Sequence, residues 1–537
     1  MSSRTFNLAD LFESVAAAVP DRTAFVCGAT RLSFAELDAR ATRLANGLRD
    51  RGVQRGHHVG IQLHNSVQYL ETFFACCKIG AAPVNVNYRY LGAELHYLFT
   101  TLDLRALVHG AEFDAVLAEV APRVPTLQLR VRVGDANGTA PGSVPYEDLI
   151  EAGAPTLSDP QRSDDDVIVL CTGGTTGHPK GVIWPHKALW MAALGGGGVY
   201  FGRGPIAAPD DLAALVTSAP PLTYFAIAPL MHGAAMWSSL ISLMAGHTVV
   251  VNDQTAFDAA HIWDTVQDKG VDILSVVGDA MALPLVQALE AAPGRWQLAT
   301  LRVFGNGGAL LTEALQQRIR AALPQVMINN GIGSSESGVI GGGERPASGE
   351  GFLRIAPRPD LAVIDEQHRI VSAPGAAGTL ARTGYTPRGY YGDAKKSAET
   401  FVTIDGRLWV LTGDRARIDE GGHYVVLGRG SLCINTGGEK VFPEEVEEAI
   451  RRYGAVRDVL VVGQADERWG QKVAAVVELE PGATFAAGEF DAVCRAALAG
   501  YKRPRAVYLA ERIQRSPAGK ADYRWALQVA QTGRSVL

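Results

Sequence analysis

Cysteines that could pair or bind zinc are scarce in this chain. Six cysteines (Cys27, Cys76, Cys77, Cys171, Cys433, Cys494) are spread over 537 residues with no CxxC spacing, so neither a zinc site nor a disulfide framework is predicted. A reducing compartment suits them. A basic excess is also missing: the formal net charge is −6, which argues against generic nucleic-acid or anionic-membrane binding. No uncharged apolar run approaches the ~18 residues of a membrane span. The N-terminal MSSRTFNLADLFESV carries Asp10 and Glu13 among its apolar residues, so no signal peptide is expected. The expected location is the cytoplasm.

What is present is the composition of a globular protein, 47% hydrophobic and 20% charged over a length that needs two or more cores. Helical and strand patterns alternate. Leu32 to Val53 opens with Ser33 three residues before Glu36, a capping-box spacing, and runs at helical intervals to a glycine stop. HVGIQL, LRALVHG, DDVIVLCT, GHTVVVND, VDILSVVG and TLRVFGNGG read as strands separated by helical stretches. That order predicts an α/β fold with parallel sheets covered by helices. After about residue 350 short strands and turns predict a small barrel or antiparallel sheet. From GRGSLCINTGGEKVFPEEVE onward, a compact α+β unit is expected. The boundary is drawn at Arg429, giving domains 1–428 and 429–537.

One stretch concentrates chemistry. CTGGTTGHPKGV, from Cys171, follows the apolar run Val167 to Leu170. A glycine-rich loop leaving a strand exposes backbone N–H groups toward an anion; Thr172, Thr175 and Thr176 add hydroxyls, and Lys180 adds charge. The spacing is not that of a P-loop, because Pro179 precedes the lysine. A plain surface loop is the alternative.

Further motifs follow in order, and together they resemble the adenylate-forming superfamily of acyl-CoA synthetases, luciferases and peptide-synthetase adenylation domains. CTGGTTGHPKGV resembles its phosphate loop, and APLMHGAAMW its gate segment. GNGGAL resembles its adenine-side turn, GIGSSESG its adenylate and magnesium motif, and LTGDRARID its ribose aspartate. GRGSLCINTGGEKVFPEEVE resembles its hinge and thioester segment, and RSPAGKADYR its C-terminal lysine segment. Within the superfamily, the hinge segment looks most like that of actinobacterial ligases for fatty, steroid or terpenoid acids. The resemblance implies a large N-terminal domain of helix-covered sheets with a barrel-like subdomain, and a small mobile C-terminal domain.

It also implies roles. The nucleotide would lie along Thr172, Gly173, Gly174, Thr175, Thr176, Gly177, Lys180, Gly308, Ala309, Ile332, Gly333, Ser334, Ser335 and Glu336. Glu336 would hold Mg²⁺, since hard cations take carboxylates. Asp414 and Arg429 would take the ribose; a turn-forming Asp is the alternative for Asp414. Lys520 would stabilise charge developing in adenylation. Lys520, Glu336, Lys180, Thr175 and His232 form the catalytic set. His232, Trp237, Gly307, Gly308 and Gly333 would surround the acyl group, although a histidine on an apolar segment can also be a packed core residue. Coenzyme A would meet Gly437, Gly438, Lys502, Arg503 and Arg505, and Ser431 would be the hinge. A short basic run can equally be a solvated face.

Three positions depart from the family pattern: Ile332 for a frequent Tyr, Ser431 for a hinge Asp or Lys, and Asn435 for a frequent lysine. They bear on the balance of two half-reactions. No carboxylate follows the gate histidine, which disfavours amino acids. The stretch GGGGVYFGRGPIAAPDDLAALVTSAPPL could form a lid. The expectation is an acyl-CoA ligase that uses ATP, Mg²⁺ and coenzyme A on a bulky hydrophobic carboxylic acid. A homodimer is allowed, and a carrier-protein partner ranks lower. The rivals are a ligase specialised for one half-reaction and a silent nucleotide-binding protein.

Overall fold

The computed structural model describes residues 4–90, 92–134, 142–158, 160–172, 179–309, 311–342, 353–429, 432–436, 439–466, 470–498, 500–515 and 520–537. The capping box forms as predicted: the Ser33 hydroxyl accepts from the Glu36 N–H, the Glu36 carboxylate accepts from the Ser33 N–H, and the helix Phe34–Asp50 follows. Its face of Phe34, Leu37, Ala41, Leu44 and Leu48 is buried, against the helix Val67–Lys78 among others.

Two sheets dominate the N-terminal part. One has eight strands in the order Gly338–Gly342, Met327–Ser334, Val303–Gly307, Ile273–Val276, Thr223–Ala226, Thr248–Val251, Thr23–Cys27, Thr30–Ser33. The other has seven, in the order Ser143–Pro145, Leu129–Val133, Leu104–Gly110, His58–Gln62, Ala82–Asn85, Val167–Thr172, Lys180–Pro185. Both are parallel inside and antiparallel at one or both edges, as expected when helical crossovers cover the faces. One continuous apolar core, including Phe12, Phe25, Phe74, Trp184, Trp237 and Trp263, joins residues of both sheets.

The short-strand region becomes a seven-stranded antiparallel sheet from Leu353–Ile355 to Tyr424–Arg429. A five-stranded sheet then begins at Ile434–Thr436; its long hairpin Val456–Asp466 and Gly470–Leu479 packs with helices Pro443–Ile450 and Tyr523–Thr532. This last unit touches the first sheet's helix Gly278–Ala291 through a part-buried ion pair, Arg451 Nε to Asp279 Oδ2 at 3.6 Å.

Candidate functional site

The site lies where the sheets meet. Strands Val167–Thr172 and Lys180–Pro185 are antiparallel neighbours with Thr172 opposite Lys180. The ladder therefore brings both ends of the glycine-rich loop together. Gly173, Gly174, Thr175, Thr176 and Gly177 lie outside the described residues, as do Ser431, Gly437, Gly438 and the side chains of Arg429 and Asn435.

Near Lys180 stands the turn that the family resemblance assigns to the metal. Strands Met327–Ser334 and Gly338–Gly342 pair with Ser334 opposite Gly338, and the turn between them carries Ser335 and Glu336. Ser334 and Ser337 tie that turn: the Ser334 N–H donates to Ser337 Oγ at 3.1 Å, and the Ser337 N–H donates to Ser334 Oγ at 3.1 Å. The Trp184 indole N–H, one strand away in the other sheet, donates to the Ser335 carbonyl at 2.7 Å. The strand Lys180–Pro185 and the turn carrying Ser335 are thus joined across the two sheets.

Three residues that sequence reasoning missed hold these parts. Tyr390, buried, donates its hydroxyl to Glu336 Oε1 at 2.9 Å. Its ring lies under Lys180 Nζ, 5.4 Å from the centroid, and Asp393 Oδ2 is 3.7 Å from the same ammonium. Burial, with the negative charge of Glu336, raises the Tyr390 pKa, so the phenol stays a donor. Arg382, 5% exposed, donates from one terminal nitrogen to the carbonyls of Ala192, Ser337 and Val339 at 2.8–2.9 Å and pairs with Asp360 at 3.2 Å. Desolvation pulls it down to about 10, still charged at neutral pH. The only sequence signal was RTGYTPRGYY, which has the polar residues but no spacing that announces a role.

The ribose candidates come together through register. Asp414 and Arg429 are directly paired on adjacent antiparallel strands, and Asp414 is 6% exposed. Its N–H donates to Thr412 Oγ1 at 3.1 Å. Ile332 packs partly against the apolar cluster of Ile340, Leu353, Ile355 and Val426 under the antiparallel sheet.

His232 caps the helix Gly233–Met244 by position, with no side-chain cap bond. Its Nε2 is buried without a hydrogen-bond partner. Burial, then the charges of Lys520 and Arg89, lowers it to about 4, so it is neutral at pH 7.

The acyl candidates divide. Gly308 has φ +86°, and a Cβ there would meet only Ala234 and Val277 at 3.7 Å; one at Gly307 would meet only the Gly331 carbonyl at 4.0 Å. Among the described residues, both have room for a Cβ. At Gly333 a Cβ would fall 2.3 Å from the Gly338 carbonyl, so that glycine serves the close crossing of the neighbouring strand. Trp237 is 5% exposed and edge-on to Trp184 at 6.3 Å, holding the gate helix onto the core. The glycine run Gly195–Gly198 is pinned by its neighbours: Tyr200 just beyond it bonds Ser242 Oγ at 2.8 Å and packs edge-on to His247. The coenzyme A candidates have intrachain partners, Lys502 with Glu445 at 2.6 Å and Arg503 with Asp491 at 3.5 Å.

With this geometry in place, the comparisons decide the family. Residues 12–391 match the AMP-binding enzyme family and residues 445–520 its C-terminal domain. The chain belongs to the AMP-binding enzymes. It is 39% identical to a medium/long-chain-fatty-acid and 3-oxocholest-4-en-26-oate CoA ligase of Mycobacterium tuberculosis, covering 97% of this chain and 95% of that one. It is also 39% identical to the 3-oxocholest-4-en-26-oate CoA ligase of Rhodococcus rhodochrous, over 98% and 96%. The fold matches ATP-bound MatB from Rhodopseudomonas palustris with TM-score 0.81 at 24% identity, covering 98% of this chain and 99% of that one. Among the described residues of this AMP-binding enzyme, no helix is long and apolar enough to cross a membrane.

Proposed function

We propose that the chain is a cytoplasmic acyl-CoA ligase that joins a bulky, mostly apolar carboxylic acid to coenzyme A through an acyl-adenylate. What supports this reading is the placement of Lys180 over the ring of Tyr390, which also holds Glu336, together with the register pairing of Asp414 and Arg429 and the match to the AMP-binding enzymes. The relatives' names supply the acid class.

In the first step a substrate carboxylate oxygen attacks the α-phosphorus of ATP. The bond from that phosphorus to the bridging oxygen breaks, and pyrophosphate leaves with the electron pair. In the second step the coenzyme A thiolate attacks the acyl carbon, and AMP leaves with its oxygen. The protein's work in both is positioning and charge stabilisation. Lys180 and Lys520 supply positive charge to phosphate and carboxylate oxygens, Asp414 accepts ribose hydroxyls, and neutral His232 guards the acyl entrance.

The donor set suits a hard cation. Tyr390 ties one Glu336 oxygen and leaves the other for ligation, and no group of three or more His, Cys, Asp or Glu side chains able to hold a metal exists among the described residues. Glu336 would hold Mg²⁺ together with the nucleotide's own oxygens. When bound, that ion neutralises phosphate charge.

The test is a panel of acids assayed for coenzyme A thioesters by mass spectrometry, with pyrophosphate exchange measured with and without coenzyme A. Thioesters of large apolar acids are expected. Exchange without any thioester would identify an adenylate-only ligase, and thioester from supplied adenylate alone would identify the opposite specialist.

A further inference from the structure

Glycine inside a β-strand weakens it, and its usual reasons there are a bulge or the close approach of another backbone or a ligand. Three glycines cluster on one face of the eight-stranded sheet. Gly305 and Gly307 alternate onto the same face of Val303–Gly307, and register sets Gly307 directly beside Gly331 on Met327–Ser334. That ladder runs without a register shift, which removes a bulge as the reason. None of the three has a positive φ, so none serves a left-handed backbone. No crossing backbone needs the room either. Among the described residues, a Cβ at Gly307 would meet only the Gly331 carbonyl, at 4.0 Å, and one at Gly331 only the Asn306 carbonyl, at 3.5 Å. One at Gly305 would meet nothing closer than the Leu274 carbonyl at 3.5 Å. These neighbours belong to the adjoining strands of the sheet itself. Gly333 and Gly342 differ, since a Cβ there would fall 2.3 Å and 2.9 Å from a carbonyl. For the three-glycine patch, a ligand is the remaining reason.

The opposite face of these strands is filled: Phe304 is fully buried, and Asn306 accepts from the Gly278 N–H at 2.7 Å. On the glycine face the gate helix Gly233–Met244 stands two strands away. Register puts Tyr224 on that face with Ser275 and Gly305, and the Tyr224 hydroxyl donates to Ser238 Oγ of the helix at 2.6 Å. Ala234, on the same helix, is exposed and lies 3.7 Å from the position a Cβ of Gly308 would take. Helix and glycines are thus wall and floor of one groove. Asn329, paired with Gly305, leans off the floor toward the edge strand: its Oδ1 lies 3.2 Å from the position a Cβ of Gly342 would take.

The floor has a definite place and shape. Gly308, beside the gate helix, is one residue from Gly307, about 3.3 Å along the chain direction. Gly307 to Gly331 spans about 4.8 Å across the strands, and Gly307 to Gly305 about 6–7 Å along them. The groove is therefore broad from its first few ångströms. An unbranched chain fills one lane of such a floor and leaves the other to water; a ring covers both. We infer that Gly305, Gly307 and Gly331 select carboxylic acids whose six-membered carbocycle begins about two or three bonds from the carboxyl group, over unbranched acids of equal carbon number. This rests on the acyl-CoA ligase reading, under which the carboxyl end lies at the gate by His232 and Gly308, and it specifies the acid class. A second, fused ring would continue over Gly305.

The probes are two pairs matched in carbon number: 3-cyclohexylpropanoic with nonanoic acid, and 6-cyclohexylhexanoic with dodecanoic acid. In the wild-type enzyme the kcat/KM ratio of ring to chain should be about tenfold or more for the first pair, the usual worth of added methylene contacts in a pocket. For the second pair, whose ring begins too far from the carboxyl group, it should be smaller. In Gly307→Val and Gly331→Val the first ratio should fall about tenfold, because the side chain fills one lane. Both variants should unfold thermally at or above the wild-type temperature, since a β-branched residue suits an extended position with room. A first ratio near one in the wild type overturns the proposal, as does an unchanged ratio in both variants. A ratio larger for the second pair overturns it as well. Lowered unfolding temperatures in both variants and in Gly307→Ala would assign the glycines to the backbone, with the same consequence. If no acid yields thioester, the ligase reading fails. Calorimetric binding of the four acids with a nonhydrolysable ATP analogue then tests the floor by itself, and equal affinities within the first pair overturn it.

Discussion

The Tyr390 hydroxyl donates to Glu336 Oε1 at 2.9 Å while the face of the same ring lies under the Lys180 ammonium. One buried side chain thus sets the spacing between the Lys180 ammonium and the Glu336 carboxylate. Tyr390→Phe keeps the ring and its packing but frees Glu336. Loss of a hydrogen bond to a charged group is worth about 1.5–3 kcal/mol, so adenylation should slow by tenfold or more. The magnesium concentration for half-maximal pyrophosphate release should rise with it. An unaltered magnesium titration would remove Tyr390 from the site.

Asp414 is buried and register-paired with Arg429. Asp414→Ala should weaken ATP binding by about 2 kcal/mol through loss of charge-assisted bonds to the ribose. Equilibrium binding of a fluorescent nucleotide measures it, and wild-type affinity in the variant would refute the ribose contact.

Under the proposed function, Lys520 serves the first half-reaction. Lys520→Ala should slow pyrophosphate release by about 10² or more, the usual effect of removing a preorganised donor. Thioester formation from supplied acyl-adenylate should persist. Equal damage to both steps would mean that the lysine holds structure only.

The Asp279–Arg451 pair joins the terminal unit to the large domain, and Arg451 also reaches Asp458 at 3.3 Å. Asp279→Asn weakens the bridge while preserving its shape. Adenylation should fall by several-fold relative to thioester formation from supplied adenylate, read as the ratio of the two rates. A ratio equal to the wild-type value would show that the pair does not bias domain position.

Acid should destabilise the fold through its histidines. Burial lowers His232 and His247 to about 4 and His186 to about 3, against 6.5 for an exposed group. Between those limits the unfolded chain binds protons that the folded chain refuses, so the stability present above pH 6.5 is lost as pH falls toward 4. At about 1.4 kcal/mol per pK unit, each of these histidines is worth a few kcal/mol when the loss is complete. Thermal unfolding at pH 7 and pH 5 measures the loss, and His247→Phe should flatten it.

Much of the architecture was legible because strand, helix and cap signals are local. Ser33 and Glu36 announce their helix, and VIVL, VVV and FGNG their strands, with no partner needed. The site was legible only as motif order. Tyr390 and Arg382 act through contacts with Glu336, Ser337 and Ala192 that lie 45 or more residues away, and no periodicity encodes such meetings. Gly333 carries a related ambiguity. A glycine in sequence can mean space for a ligand or space for a neighbouring backbone, and only the crossing of Gly338 distinguishes them.

The Trp184 bond to the Ser335 carbonyl crosses from one sheet to the other. Catalytic competence therefore depends on a boundary between two independently hydrogen-bonded bodies, whose separation requires no strand to melt. Heated enzyme should lose turnover several degrees before circular dichroism changes. In hydrogen exchange, the Ser335–Ser337 amides should open ahead of those in Phe225 or Leu274, in the strands behind them.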